Sequence, residues 1–196
     1  MDYTIKELYL SCKNLITLPS DISSYTELIK LHCFHNQLTE LANLPQTLNL
    51  LWCSTNKITS LDNLPLRLKT LFCDTNNISC LDNLPPELEV LSCVKNYITY
   101  LDNLPQTLNF LNCSHNKIVA LDNLPLTLSV LICDCNLITA LTNLPQILKE
   151  LYCCWNKLTC LSNLLPELKV LKCGHNPLIY DFVPTLENIR KYYTKN

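Results

Sequence analysis

The apolar positions of this chain form a comb with one spacing. Leu31, Leu51, Leu71, Leu91, Leu111, Leu131, Leu151 and Leu171 fall 20 residues apart. A Cys follows each leucine after two positions (Cys33 to Cys173), an Asn after five (Asn36 to Asn176), and a Leu or Ile after seven (Leu38 to Leu178). Asn-Leu-Pro recurs from Asn43-Leu44-Pro45 to Asn143-Leu144-Pro145, and at Asn163-Leu164-Leu165-Pro166 the Pro arrives one residue late. A fixed period of this length is the signature of a stacked-repeat architecture. Within each unit the Leu-x-Cys alternation predicts a short strand with both residues turned inward. The prolines on the far side predict extended, polyproline-like or tightly turned backbone in place of full helices.

A single unit cannot fold alone. In the second, Leu28, Leu31, Cys33, Leu38, Leu41 and Leu44 point inward, worth roughly 10–15 kcal/mol in gross burial at about 1.5–3 kcal/mol per large side chain. Ordering the backbone of such a unit costs more, at about 1–2 kcal/mol per residue. Stacked units instead share one core and pair their backbones in a parallel ladder. Both ends of such a stack need caps. Residues 1–27, built on Leu8, Leu10, Leu15 and Leu18 with a 23-residue unit, are expected to form the N-terminal capping repeat, and residues 28–180 the 20-residue repeats. Residues 181–196 are expected to form a helical cap, helical over 184–195, with Pro184 at its start and Arg190, Lys191 and Lys195 towards its end. Phe182, Leu186, Ile189 and Tyr193 would then cover the last rung.

Leu-x-x-Leu-x-Cys-x-x-Asn-x-Ile/Leu resembles the leucine-rich-repeat consensus over roughly residues 5–180. The short period with Leu-Pro before the next unit is similar to the repeats of bacterial secreted effectors, although Asp-Asn-Leu-Pro stands where that subtype often doubles Leu-Pro. The longer first unit, with Leu-Pro-Ser-Asp-Ile, resembles the commoner intracellular subtype. The resemblance implies an α/β repeat solenoid: a right-handed leucine-rich-repeat superhelix with a parallel concave β-sheet and a mostly irregular, polyproline-like convex side. Some effectors of that kind carry a ubiquitin-ligase domain. Too few residues follow the last repeat here for that activity to be carried over. Abundant Asn, Ile, Lys and Tyr with the Cys ladder also resemble the repeat proteins of amoeba-infecting giant viruses.

Composition removes several function classes. Leu accounts for 43 of 196 residues and Asn for 22, whereas Gly occurs once, so no glycine-built phosphate loop or dinucleotide fingerprint is present. A net charge of −2 offers no basic stripe for nucleic acid and no polybasic membrane anchor. Met1-Asp2-Tyr3-Thr4-Ile5-Lys6-Glu7 lacks a basic segment and an apolar run, so no signal peptide is expected, and no apolar stretch is long enough for a membrane span. With 13 Cys, these features predict reduced thiols in a cytoplasm.

The residues that could carry chemistry mostly have structural readings. The Asn column is expected to bond backbone groups of neighbouring turns. The Cys column, spread along a line, suits small apolar filling better than four converging metal ligands. Cys12 beside His35 and Cys135 beside His115, with Cys154 near, could in principle make an activated thiolate; no third orienting group accompanies them. The convex Asp column (Asp62, Asp82, Asp102, Asp122, with Thr142 and Ser162 at the same place) is expected to accept local backbone N–H bonds. No cofactor, metal or catalytic residue is expected.

The informative surface is the inner face of the strands, at positions −1, +1, +3 and +4 about each strand leucine. These 36 positions hold seven of the chain's 15 aromatic residues, where proportion would place about three, and exposed aromatics of this kind mark protein contacts. Tyr9, His32, Phe34, Trp52, Phe72, Phe110, Ile132, Tyr152 and Trp155 are therefore the expected partner-binding residues. The expected function is a non-catalytic module docking a protein, a host protein if the chain is viral; self-assembly through the same surface is the alternative, and a thiol-based enzyme a remoter one.

Overall fold

The computed structural model describes residues 2–161 and 165–195. Nine three-residue strands run in chain order through one parallel sheet: β1 (Glu7–Tyr9), β2 (Lys30–His32), β3 (Leu50–Trp52), β4 (Thr70–Phe72), β5 (Val90–Ser92), β6 (Phe110–Asn112), β7 (Val130–Ile132), β8 (Glu150–Tyr152) and β9 (Val170–Lys172). The register puts every comb leucine beside the next, Leu8 against Leu31 and then Leu31 against Leu51 through to Leu171. The longer first unit is absorbed outside the strand, where a single 3₁₀ turn (Ile22–Ser24) buries Ile22.

The core is one continuous column beneath the sheet. Leu28, Leu31, Cys33 and Leu38 are fully buried, and so are their counterparts in the inner rungs. The Asn column binds rung to rung as expected. Asn96 donates to the carbonyls of Cys73 and Cys93 at 3.1 Å each, and its carbonyl accepts the Ile78 N–H at 3.0 Å. Asn56, Asn76, Asn116, Asn136 and Asn156 repeat that pattern. These bonds satisfy the backbone groups that the tight turn after each strand leaves unpaired, which a buried loop otherwise could not do.

The convex side is built from turns. Pro45, Pro65, Pro85, Pro105, Pro125 and Pro145 each accept the N–H of the leucine three residues on, the geometry for which proline's fixed φ is suited. The Asn of each Asn-Leu-Pro described, Asn43 to Asn143, takes a left-handed φ of 56° to 62°. Asn tolerates that region better than most L-residues, so the second Asn column is chosen for its backbone. The late-proline unit at Asn163-Leu164 lies outside the described residues, as does Ser162.

Two expectations on this side need correction. The Asp column does not chiefly accept local backbone donors: Asp62 takes the Ser60 hydroxyl at 2.5 Å and the Asn83 amide at 3.1 Å, and Asp102 takes the Asn123 amide at 3.2 Å. Adjacent rungs stand close enough for the side chains to reach each other. The cap is the helix α1 (Leu186–Lys195), and Ile189 on it is fully buried. Tyr193 does not cover the rung; its ring is 42% exposed, meeting Tyr192 edge-on while its hydroxyl lies 3.1 Å from that of Tyr180. Arg190 does more than face a helix terminus. Its Nη2 donates to the carbonyls of Leu165, Pro166 and Leu168 at 2.9–3.1 Å, closing the last turn.

Candidate functional site on the concave sheet

Strand alternation fixes what the concave face presents. With the comb leucine inward, its two strand neighbours turn outward, and in-register stacking lines them up in columns. Column +1 begins Tyr9, His32, Trp52, Phe72 on β1 to β4. Tyr9 lies face to face with His32 at 4.7 Å between centroids, His32 stands 6.0 Å from Trp52, and Trp52 stands 5.7 Å from Phe72. Phe34, one column over, joins Trp52 at 4.8 Å. Five of the nine expected binding residues thus form one connected array. Tyr9 and Trp52 are exposed, and His32, Phe34 and Phe72 are half-buried.

Polar groups fix one end of this array. His32 Nε2 lies 2.9 Å from Glu7 Oε1, and Lys30 is 3.7 Å from the other carboxylate oxygen. Hydrogen bonding from Tyr9, and next from His32, holds Glu7 below the usual carboxylate range, and the same contact raises the Tyr9 phenol.

The remaining four residues are not joined to that array. Ile132 and Tyr152 pair across β7 and β8, and the Tyr152 hydroxyl donates to Glu150 at 3.1 Å, which raises the phenol. Trp155, 57% exposed, stacks on His175 at 3.8 Å with the planes 10° apart. Phe110 stands in column −1, paired with Val90 on one side and Val130 on the other. Between the two aromatic groups column +1 holds only Ser92 and Asn112, so about three strand spacings, roughly 14 Å, separate Phe72 from Ile132. His175 escaped the sequence reading. Its signal was the repeat itself, because the residue 20 positions after Trp155 must sit beside it.

The polar residues between the rings hold the sheet. Asp74 accepts the Ser92 hydroxyl at 2.5 Å and the Val94 N–H at 2.8 Å, and Asp134 accepts the Cys154 N–H at 2.6 Å. Asp134 also bears on the thiols. Burial first, and then this carboxylate, push Cys135 and Cys154 up, the direction opposite to the lowered value a reactive thiolate requires. All 13 cysteines are free. Among the described residues no group of three or more His, Cys, Asp or Glu side chains could hold a metal ion, and no helix is long and apolar enough to cross a membrane.

The parallel ladder, the Asn bonds and the 20-residue register together make the chain a leucine-rich-repeat solenoid, similar to the leucine-rich repeats of bacterial effectors. Among solved structures it is similar to YopM from Yersinia enterocolitica, with 34% identity and a TM-score of 0.84 over 92% of this chain and 40% of that one. It is also similar to a Shigella effector leucine-rich-repeat domain (25% identity, TM-score 0.67, 96% of this chain and 74% of that one). A third likeness is the functional domain of InlJ from Listeria monocytogenes, described as including a cysteine ladder (28%, TM-score 0.64, 90% and 43%). The chain therefore spans about 40% of the length of the YopM it matches. No family model matches the sequence, and no curated protein matches it.

Proposed function

We propose that this solenoid is a non-catalytic recognition module that docks a protein partner on its concave face, with Tyr9, Trp52, Phe72, Tyr152 and Trp155 as anchors. The observation that carries the reading is the ring array on β1 to β4, contiguous over four rungs and open to solvent at Tyr9 and Trp52. Trp and Tyr at the centre of a patch supply most of the energy in protein contacts, while neighbouring weaker contacts exclude water. The leucine-rich-repeat fold, typically used for protein–protein interaction, supports the same reading. His32, Phe34, Phe110 and Ile132 complete the contact surface. The compositional likeness to giant-virus repeat proteins would make the partner a host protein and the compartment the host cytoplasm.

Changing Trp52 and Phe72 together to Ala tests the proposal. Both rings lie outside the leucine core, so the variant is expected to keep its circular-dichroism spectrum and to lose partner capture at least a hundredfold, about 3 kcal/mol. Capture at unchanged affinity by the folded variant removes the anchors and the reading with them.

A further inference from the structure

Each rung offers the next one a fixed set of backbone groups. The Cys33 N–H donates to the Trp52 carbonyl at 2.8 Å, the His35 N–H donates to Ser54 at 2.9 Å, and the Ile29 carbonyl accepts the N–H groups of Asn49 and Leu50 at 2.9 and 3.1 Å. On β9 the corresponding groups are the N–H of Cys173, the N–H of His175 and the carbonyl of Lys169. Among the described residues nothing pairs with them, because β9 ends the sheet. Leu171 is only half-buried, whereas Leu31 to Leu151 are fully buried. Beside this edge lies a slot of about 580 Å³, walled by Leu171, Cys173 and Gly174 on one side and by Val183, Pro184 and Leu186 on the other. Cys173 is 4% exposed and its thiol donates to the Pro184 carbonyl at 3.3 Å, so residues 183–186 already fill part of the place a tenth strand would take, and the slot is what they leave.

We propose that the slot along the open edge of β9 binds an extended segment of another polypeptide by strand addition, with one aliphatic side chain against Leu171 and Leu186 and a carboxylate beside Lys169, as Glu89 stands 2.7 Å from Lys69 of the rung before it. An open edge presents main-chain groups that give affinity, and the pocket for an inward side chain gives selectivity. The charge preference follows from the edge rung. It carries Lys169 and Lys172 against the one carboxylate of Glu167, and no carboxylate lines the slot among the described residues. A second copy of the solenoid does not fit as a further rung. The helix α1 lies across the end of the core, with Ile189 buried there and Arg190 closing the carbonyls of residues 165–168. The slot admits a strand, and α1 blocks the rest of a repeat.

The probe is a blocked heptapeptide with the sequence of residues 88–94 of this chain, carrying Cys93→Ser, titrated into the full chain while amide exchange is followed. Saturable binding with slowed exchange of the Cys173 and His175 amides is expected, at least tenfold weaker when alternate peptide amides are N-methylated and severalfold weaker when Glu89 in the peptide is changed to Lys. Val183→Trp, at a position 72% exposed and outside the core, is expected to fill the slot and abolish binding with thermal unfolding unchanged. Equal affinity for the N-methylated peptide overturns the proposal. So does a chain that is dimeric, with both amides already protected, before peptide is added. The variant lacking the Trp52 and Phe72 rings is expected to bind the heptapeptide normally, so failure here and failure of the concave-face reading are separate results.

Discussion

The Cys at position +2 shows how one atom type serves a repeat. A thiol fills less space than a leucine and lets the strand lie close over the core, and its weak S–H donor still finds a carbonyl, as Cys73 does on Ser92 at 3.3 Å. Burial pushes Cys33 and Cys113 up to about 12, and Cys53, Cys73, Cys93 and Cys133 well above the ordinary value near 9. A folded-state value above the unfolded one means the stabilisation is complete below pH 9 and is lost as pH rises from there towards 12. Each pH unit in that window costs about 1.4 kcal/mol per fully buried thiol. Urea unfolding at pH 7 and pH 10.5 is expected to show a steep loss, and Cys33→Ala with Cys113→Ala to lessen it by about 4 kcal/mol; an equally steep loss in that variant contradicts the argument. At the same scale Asn96→Ala strands the carbonyls of Cys73 and Cys93 and the N–H of Ile78. A cost of about 3 kcal/mol in the same urea experiment is expected.

Most of the element pattern could be read from spacing, and what could not be read was whatever depends on three-dimensional proximity. The strands, their register and the Asn bonds follow from the 20-residue period, because side chains in equivalent positions of a stack meet equivalent neighbours. The ring array follows for the same reason. Arg190 does not: it reaches carbonyls 22 to 25 residues back from a helix that belongs to no repeat. Arg190→Ala is expected to cost about 2 kcal/mol and to speed amide exchange in α1 before the rest of the chain, which exchange mass spectrometry would detect. The turn after each strand was equally hidden. Position +4 takes a left-handed φ on every rung, 54° to 59°, with Cys, His, Thr, Lys or Trp and never Gly. On the inner rungs backbone bonds to the next rung, such as Thr75 to Val94 at 2.6 Å, impose that conformation against side-chain preference, and on the last rung the Asn176 amide holds the turn through the carbonyls of Cys173 and Cys153 at 2.9 Å each. Thr75→Asn, which eases a β-branched residue out of an unfavourable region, is expected to stabilise by about 0.5–1 kcal/mol in thermal unfolding.

For the whole molecule, each unit touches only its neighbours, so stability is close to a sum of units and interfaces. Deleting one complete 20-residue period, residues 112–131, rejoins Leu111 to Ile132 in the original register and keeps every expected contact residue. An eight-stranded sheet with one cooperative transition, a lower midpoint and a smaller urea slope is expected. An unfolded product would show that the stack depends on more than nearest neighbours. That deletion would also bring the two aromatic groups one strand closer, about 5 Å, so partner affinity after it reports whether one ligand reaches both.

The left-handed turn at +4 has a consequence for how such a surface can vary. Because hydrogen bonds from adjoining rungs dictate the backbone there, the side chain contributes little to the choice of conformation, and the nine sites already carry Cys, His, Thr, Thr, Lys, His, Cys, Trp and His in order. The column behaves like a row of sockets on a rigid rail, in which aromatic, cationic and thiol groups can be exchanged one at a time while the rail keeps its shape.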